Sequence, residues 1–286
     1  MAKLAIAFTA LALLSSAAAD AAPKGGYVDV NGVHMYYEIL GQGEPLILLD
    51  GGFMVGEGFG VNRDAFAKTR QVISVHTQGL GNTPDIDRPL SFEQLADDVA
   101  ALAAKLKLDH VDVIGWSYGG GMALQLAIRH PKLVRKLVVV GQPMSREGWY
   151  PEVNAVFPPM AKDPKKFVVG IDKSPILGDT VKLYPNVDWP RMFRKMGELE
   201  SQYYDWSKGV AALKMPVMLV FADADAVSTE HIAQFYKALG GGMRDAGVDG
   251  AKRPKARLAI IPDRTHYTIM KTTAVAEAVE PFLAAK

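Results

Sequence analysis

The chain predicts an α/β fold, a mostly parallel sheet with helices on both faces. Three observations carry that expectation. Short continuous apolar runs recur along the chain, as strands buried on both faces require. Segments with helical spacing of apolar residues separate those runs. The 286 residues are 49% hydrophobic and 22% charged, enough apolar material for one large core.

Composition also excludes classes of function. Lys and Arg number 32 and Asp and Glu 31, a formal net charge of +1, so no global field favours a nucleic-acid partner. The absence of cysteine excludes disulfides, zinc–thiolate sites, iron–sulfur clusters and a Cys nucleophile. No His, Asp and Glu grouping has metal-ligand spacing. The Gly-rich stretch 51–60 lacks the Lys and Ser/Thr of a phosphate loop. Neither a metal nor a cofactor is expected.

The first 22 residues read as a secretory signal peptide. Lys3 supplies positive charge, Leu4–Leu14 is apolar apart from Thr9, and Ser15–Ala22 is rich in small residues. Cleavage fits after Ala19, Ala21 or Ala22. Leu4–Ala19 is shorter than the ~20 residues a spanning helix needs. The mature protein is therefore expected to be exported, periplasmic or secreted, without stable membrane insertion.

Tyr27–Val30 and Val33–Leu40 flank Asn31-Gly32, a hairpin signal. Leu46–Leu49 and Val72–Val75 read as buried strands. Ser91–Leu108 reads as a helix, with Ser91 as cap and Leu95, Val99, Leu102 and Leu106 on one face. Val111–Gly115 is strand, Gly119–His130 helix stopped by Pro131, and Leu133–Val140 strand. Val217–Ala222, Thr229–Leu239, Ala256–Ile261 and Thr268–Ala284 continue as strand, helix, strand and closing helix. Gln142–Leu213 breaks the alternation and holds three of the four tryptophans. It reads as a cap insertion, about 143–213, over the C-terminal edge of the sheet, where open α/β sheets bind ligands. Gly240–Lys255 reads as a mobile surface loop.

Gly115-Trp116-Ser117-Tyr118-Gly119 matches G-x-S-x-G between a buried strand and a helix. So sharp a turn strains its central residue, and glycines at both ends let the backbones pass. Ser117 then projects from the turn as a candidate nucleophile. A Ser hydroxyl needs a base. Among six histidines, His266 follows the last strand, where the base falls in the chain order Ser, Asp, His. His76 ends a strand and reads as structural. The base needs an orienting carboxylate. Asp225 lies further out in the loop after Val217–Val220 than Asp223 and is better placed to reach His266. Asp223 is expected to bond loop amides instead.

These features together resemble the α/β-hydrolase superfamily from Tyr27 to the C-terminus. The resembling segments are G-W-S-Y-G, the loop from His76 to Thr83, F-A-D-A-D at 221–225 and D-R-T-H at 263–266. The resemblance implies an α/β-hydrolase domain over residues 23–286, with Ser117 as nucleophile, Asp225 as acid and His266 as base. It also implies an oxyanion hole from the Tyr118 N–H and that of Gly52 or Phe53. Trp116, Phe53 and the cap aromatics would line an apolar pocket for a small-molecule ester. Two departures stand out. Asp50 occupies the place where the family usually has His before Gly, and His76 and Gln78 replace the common Asp and Arg. A carboxylate at Asp50 would oppose an oxyanion unless loop amides hold it away or it is protonated.

The expected function is an exported serine hydrolase cleaving carboxylic esters through an acyl-enzyme. The same triad also serves lactonases, thioesterases, peptidases and perhydrolases, and fold does not choose among them. A cofactor-independent oxygenase, or a non-catalytic binding protein on the same scaffold, are the readings from other classes.

Overall fold

A computed structural model describes residues 23–285; the expected signal peptide, residues 1–22, lies outside the described residues. Eight strands form one sheet: β1 Lys24–Val30, β2 Val33–Leu40, β3 Glu44–Leu49, β4 Arg70–Val75, β5 Val111–Trp116, β6 Val134–Val140, β7 Val217–Ala224 and β8 Arg257–Thr265. Their order is β1-β2-β4-β3-β5-β6-β7-β8. β2 runs antiparallel to β1 and β4, and every other pair is parallel. The strand order therefore reverses around β3. Such a switch point opens a crevice at the C-terminal strand ends.

The hairpin follows from its turn. Asn31 and Gly32 both have positive φ, 47° and 82°, which matches the twist of the flanking strands. β5 is buried at every position, as a central strand covered on both faces must be. On one face α2 Phe92–Lys105 and α3 Tyr118–Arg129 pack their apolar sides, and the other face carries α1 Val61–Ala67 and α11 Ala274–Ala284. Ser91 caps α2, accepting the Gln94 N–H at 3.1 Å.

α1 follows the glycine-rich stretch 51–60, over residues for which the sequence reading gives no element. Its N-cap is Gly60 with no side-chain cap, so local signals are weak. Tertiary contacts hold it instead. Phe66 is buried, and the Asn62 side-chain amide donates to Met270 O at 3.1 Å while its oxygen accepts Ala276 N–H at 3.0 Å. The closing helix is also divided, with a 3-10 turn Ile269–Lys271 before α11.

Between β6 and β7 the chain makes α4 Pro151–Asn154, α5 Phe157–Lys162, α6 Pro164–Val168, α7 Gly178–Leu183, α8 Trp189–Glu200 and α9 Ser207–Ala211. Trp149, Trp189 and Trp206 are buried, so this insertion has apolar packing of its own. α10 Thr229–Ala238 follows β7. Among the described residues no helix is long and apolar enough to cross a membrane.

Far from the C-terminal strand ends, Asp112 of β5 is fully buried. It accepts from Arg70 Nη1 at 3.0 Å and from Arg135 Nε and Nη2 at 2.9 and 2.7 Å. These pairs tie β4, β5 and β6 together. Removing one partner of a buried pair leaves the other charge uncompensated. Asp112→Ala should lower the urea-unfolding free energy by about 3 kcal/mol. A loss under about 1 kcal/mol would mean that Arg70 and Arg135 find equivalent partners.

Candidate active site

The site gathers residues one step beyond the strand ends. Ser117 follows β5, Gly141 follows β6, Asp225 follows β7 and His266 follows β8. The register brings the last two together, because Ala224 and Thr265 are paired across β7 and β8.

Ser117 has φ 52° and ψ −122°, a conformation costly for a residue with a side chain. Backbone bonds hold it there. Its N–H donates to Val140 O at 2.8 Å, and its carbonyl accepts from Gly120 and Gly121 N–H. The turn needs close packing beneath it. A Cβ on Gly119 would fall 2.0 Å from Leu49 O and 2.6 Å from Asp50 O. Only glycine at 119 lets this turn press on the end of β3.

The His266 ring joins the other two side chains. Nε2 lies 2.9 Å from Ser117 Oγ, and Nδ1 lies 3.0 Å from Asp225 Oδ1. With the proton on Nδ1, that nitrogen donates to the carboxylate and Nε2 accepts from the hydroxyl. Asp225 is held in turn. Ala222 N–H donates to Oδ2 at 2.9 Å and Val227 N–H to Oδ1 at 3.3 Å. Its side chain and that of His266 are 1% and 7% exposed, so water competes little for this contact.

Asp223, the competing carboxylate, has other work. It accepts Asp263 N–H at 3.0 Å and Arg264 N–H at 3.1 Å. These amides lie in a bulge where β8 carries extra residues between Ile261 and Thr265, with Asp263 at φ 57°. The bulge explains why the apolar run stops at Ile261 while the strand continues to Thr265. The Asp263 and Arg264 amides draw the Asp223 carboxyl below its usual range.

The other expected residues sit close by. Tyr118 opens α3, where the first N–H groups have no intrahelical acceptor. The N–H groups of Gly52 and Phe53 have no acceptor among the described residues. A Cβ on Gly52 would lie 3.9 Å from Tyr118 Cβ, so this loop borders the same turn. Phe53 has φ 65° and stacks on Phe193 of α8 at 4.2 Å. Trp116 is buried against Gly51 and lines a cleft of about 420 Å³ with Met54, Ile176, Tyr267 and Met270.

Asp50 is buried, with Gly56 N–H donating to Oδ2. Burial pushes its carboxyl up to about 7, against the pull of that amide. One loop amide thus anchors it, and burial raises its carboxyl toward neutrality. His76 is buried, accepts Asn82 N–H at Nδ1 at 3.0 Å, and is lowered by burial to about 4. It is neutral and packs beside this loop. His34 contacts Asp29, His110 Lys132 O, His130 Asp97, and His231 accepts Met144 N–H.

Two contributors escape the motifs. Trp149, at the base of the insertion, packs edge-on against His266 at 5.5 Å and donates to Tyr204 OH, which also accepts from Gln142. Gly141 has φ 59°, and a Cβ there would fall 3.0 Å from His266 Nδ1. The positive φ and the tight contact give no local sequence signal beyond a glycine after a strand.

Residues 44–170 match the family model of the alpha/beta hydrolase fold. The serine hydrolase BPHL of Mus musculus is 38% identical over 121 residues, 40% of this chain and 41% of that protein. The 2-hydroxymuconate semialdehyde hydrolase of Pseudomonas sp. (strain CF600) is 33% identical over 105 residues, 35% of this chain and 37% of that protein. The chain thus spans about two fifths of the length of the curated relatives it matches. The thermophilic esterase from Thermogutta terrifontis superposes with TM-score 0.70 at 18% identity, covering 92% of this chain and 98% of that one. The enol-lactonase from Burkholderia xenovorans LB400 gives 0.71 at 21% identity, covering 91% and 100%.

Two substitutions separate the carboxylates and test the glycine. Asp225→Asn should cut turnover of a p-nitrophenyl ester by roughly 10³–10⁴-fold, whereas Asp223→Asn should lower thermal stability and keep most activity. Gly141→Ala should fold yet lose most activity, read as a fall in kcat rather than a rise in KM. Equal losses at 223 and 225 would break the assignment.

Proposed function

We propose that this chain, whose residues 44–170 match the alpha/beta hydrolase family model and which takes that fold, is a serine hydrolase that cleaves carboxylic esters. The observation that carries this reading is the continuous contact Ser117 Oγ, His266 ring, Asp225 carboxylate, at 2.9 and 3.0 Å. Those distances suit a nucleophile, its base and the group that orients the base.

In the proposed mechanism His266 Nε2 takes the Ser117 proton as Oγ attacks the ester carbonyl. The tetrahedral oxyanion lies against the Tyr118 N–H and the N–H of Gly52 or Phe53. The dipole of α3, twelve residues long and beginning at Tyr118, favours the same negative charge. His266 then returns its proton to the leaving alcohol, and an acyl-enzyme remains on Ser117. Water, activated by the same imidazole, releases the acid and restores the hydroxyl. Asp225 keeps the Nδ1 proton in place and stabilises the imidazolium of each step.

The substrate class rests on the surroundings of the triad. The cleft beside Trp116 and Tyr267, the chain neighbours of Ser117 and His266, exposes more apolar than polar surface, though Glu57, Asp179 and Lys271 also line it; its apolar side supports an acyl or aryl group. Similarity to an esterase and an enol-lactonase supports hydrolysis at a carbonyl centre. The leader of the first 22 residues supports export before the enzyme acts.

Ser117→Ala should fold normally and lose turnover of a short p-nitrophenyl ester by roughly 10³-fold or more. A fluorophosphonate should label Ser117 alone. Near-wild-type turnover in the variant would remove Ser117 from the chemistry. A panel of esters, lactones and thioesters then orders the substrates by kcat/KM. N-terminal sequencing of the exported protein should read from residue 20, 22 or 23; a retained Met1 would overturn export by cleavage.

A further inference from the structure

Asp50 leaves β3 and begins the loop that bears Gly52 and Phe53. Its carbonyl is pressed on the nucleophile turn through Gly119. Its side chain reaches the far end of the same loop, where Gly56 N–H donates to Oδ2. A Cβ on Gly58 would come 2.4 Å from Oδ1, so the 3-10 turn Glu57–Phe59 packs on this carboxyl as well. One residue thus ties both ends of the loop to the floor of the site.

Its second oxygen is the telling feature. Oδ1 is buried and makes no hydrogen bond of normal geometry among the described residues, although the Phe59 N–H lies close enough to draw on this carboxyl. A bare carboxylate there would leave half its charge undonated in a dry setting, a costly arrangement. The charged neighbours do not fill the gap. Glu57 adds negative charge and accepts the hydroxyl of Tyr184, just after α7, at 2.8 Å. Arg63 of α1 faces Glu38 of β2 and Asp64, each at 3.6 Å. His76, beyond the end of β4, is neutral, and its Nε2 is also without a partner among the described residues.

We propose that Asp50 is a positioning residue that works as a protonated acid, holding the loop so that the Gly52–Phe53 amides face the Ser117 oxyanion, and that releasing its proton to solvent switches the site off. The inference rests on acyl transfer at Ser117. The ionised form harms the site twice: it places negative charge near the developing oxyanion, and it draws water or Arg63 toward Oδ1 and so shifts the loop. Because burial holds the carboxyl up to about 7, the switch falls near neutrality. Below that pH the proton is on and the loop is set. Above it, the competent fraction drops about tenfold per pH unit.

The test follows the rate at which a fluorophosphonate labels Ser117 from pH 5 to pH 9, in the full-length protein and in Asp50→Asn. The wild-type rate should fall on the alkaline side, and the variant, which carries no titrating group there, should lose that fall. A variant that keeps the same alkaline fall would overturn the proposal. Should Asp50→Asn not fold, carbon NMR of wild-type protein labelled on aspartate carboxyls decides. That label excludes Glu200, which burial also raises to about 7. One aspartate titrating near 7 is expected; every aspartate titrating below 5 would overturn the assignment. No labelling of Ser117 at any pH would fail the acyl-transfer reading instead, whatever the aspartates do.

Discussion

The rest of the site depends on the backbone of Ser117 being held in a conformation it would not choose. A φ of 52° at a residue with a side chain is unfavourable by about 1–3 kcal/mol. The fold absorbs this because the turn is locked on three sides: by Val140 O from β6, by the first amides of α3, and by the end of β3 under Gly119. The strain lifts Oγ clear of the helix and toward the imidazole. Any relaxation of the turn would move that oxygen away from His266 Nε2.

The sheet does for Asp225 and His266 what the turn does for Ser117. Adjacent parallel strands end at one edge, so residues far apart in sequence arrive together. Asp225 and His266 each follow one member of a cross-strand pair. The bulge in β8, tied by Asp223, delays the end of that strand until His266 reaches the right height. The two aspartates of the 223–225 segment therefore divide the work, one shaping backbone and one facing the imidazole. The insertion completes the arrangement from above, with Trp149 on His266 and Phe193 on Phe53.

Electrostatics near the loop follow from the same economy of space. Where water is excluded, a carboxyl either gathers donors or keeps its proton. Asp225 gathers three donors, from His266, Ala222 and Val227. Asp50 takes the Gly56 N–H, with the Phe59 N–H also drawing on it, and burial still raises it.

Outside α1 and the insertion between β6 and β7, the sequence alone determined the strand and helix order, because doubly buried strands are continuous apolar runs and amphipathic helices repeat apolar residues every third to fourth position. It also located Ser117, Asp225 and His266 as candidates, since a strained turn demands flanking glycines and the partners occur in a set chain order. Tertiary structure decided what depends on contacts between distant segments. α1 is helical through Phe66 and Asn62, not through its own cap. Gly141 matters because His266 lies against it. The split between Asp223 and Asp225, and the burial of Asp50, depend on which amides converge on each carboxyl. A linear sequence states which groups exist; only packing states how far water is kept from them, and that distance governs their chemistry.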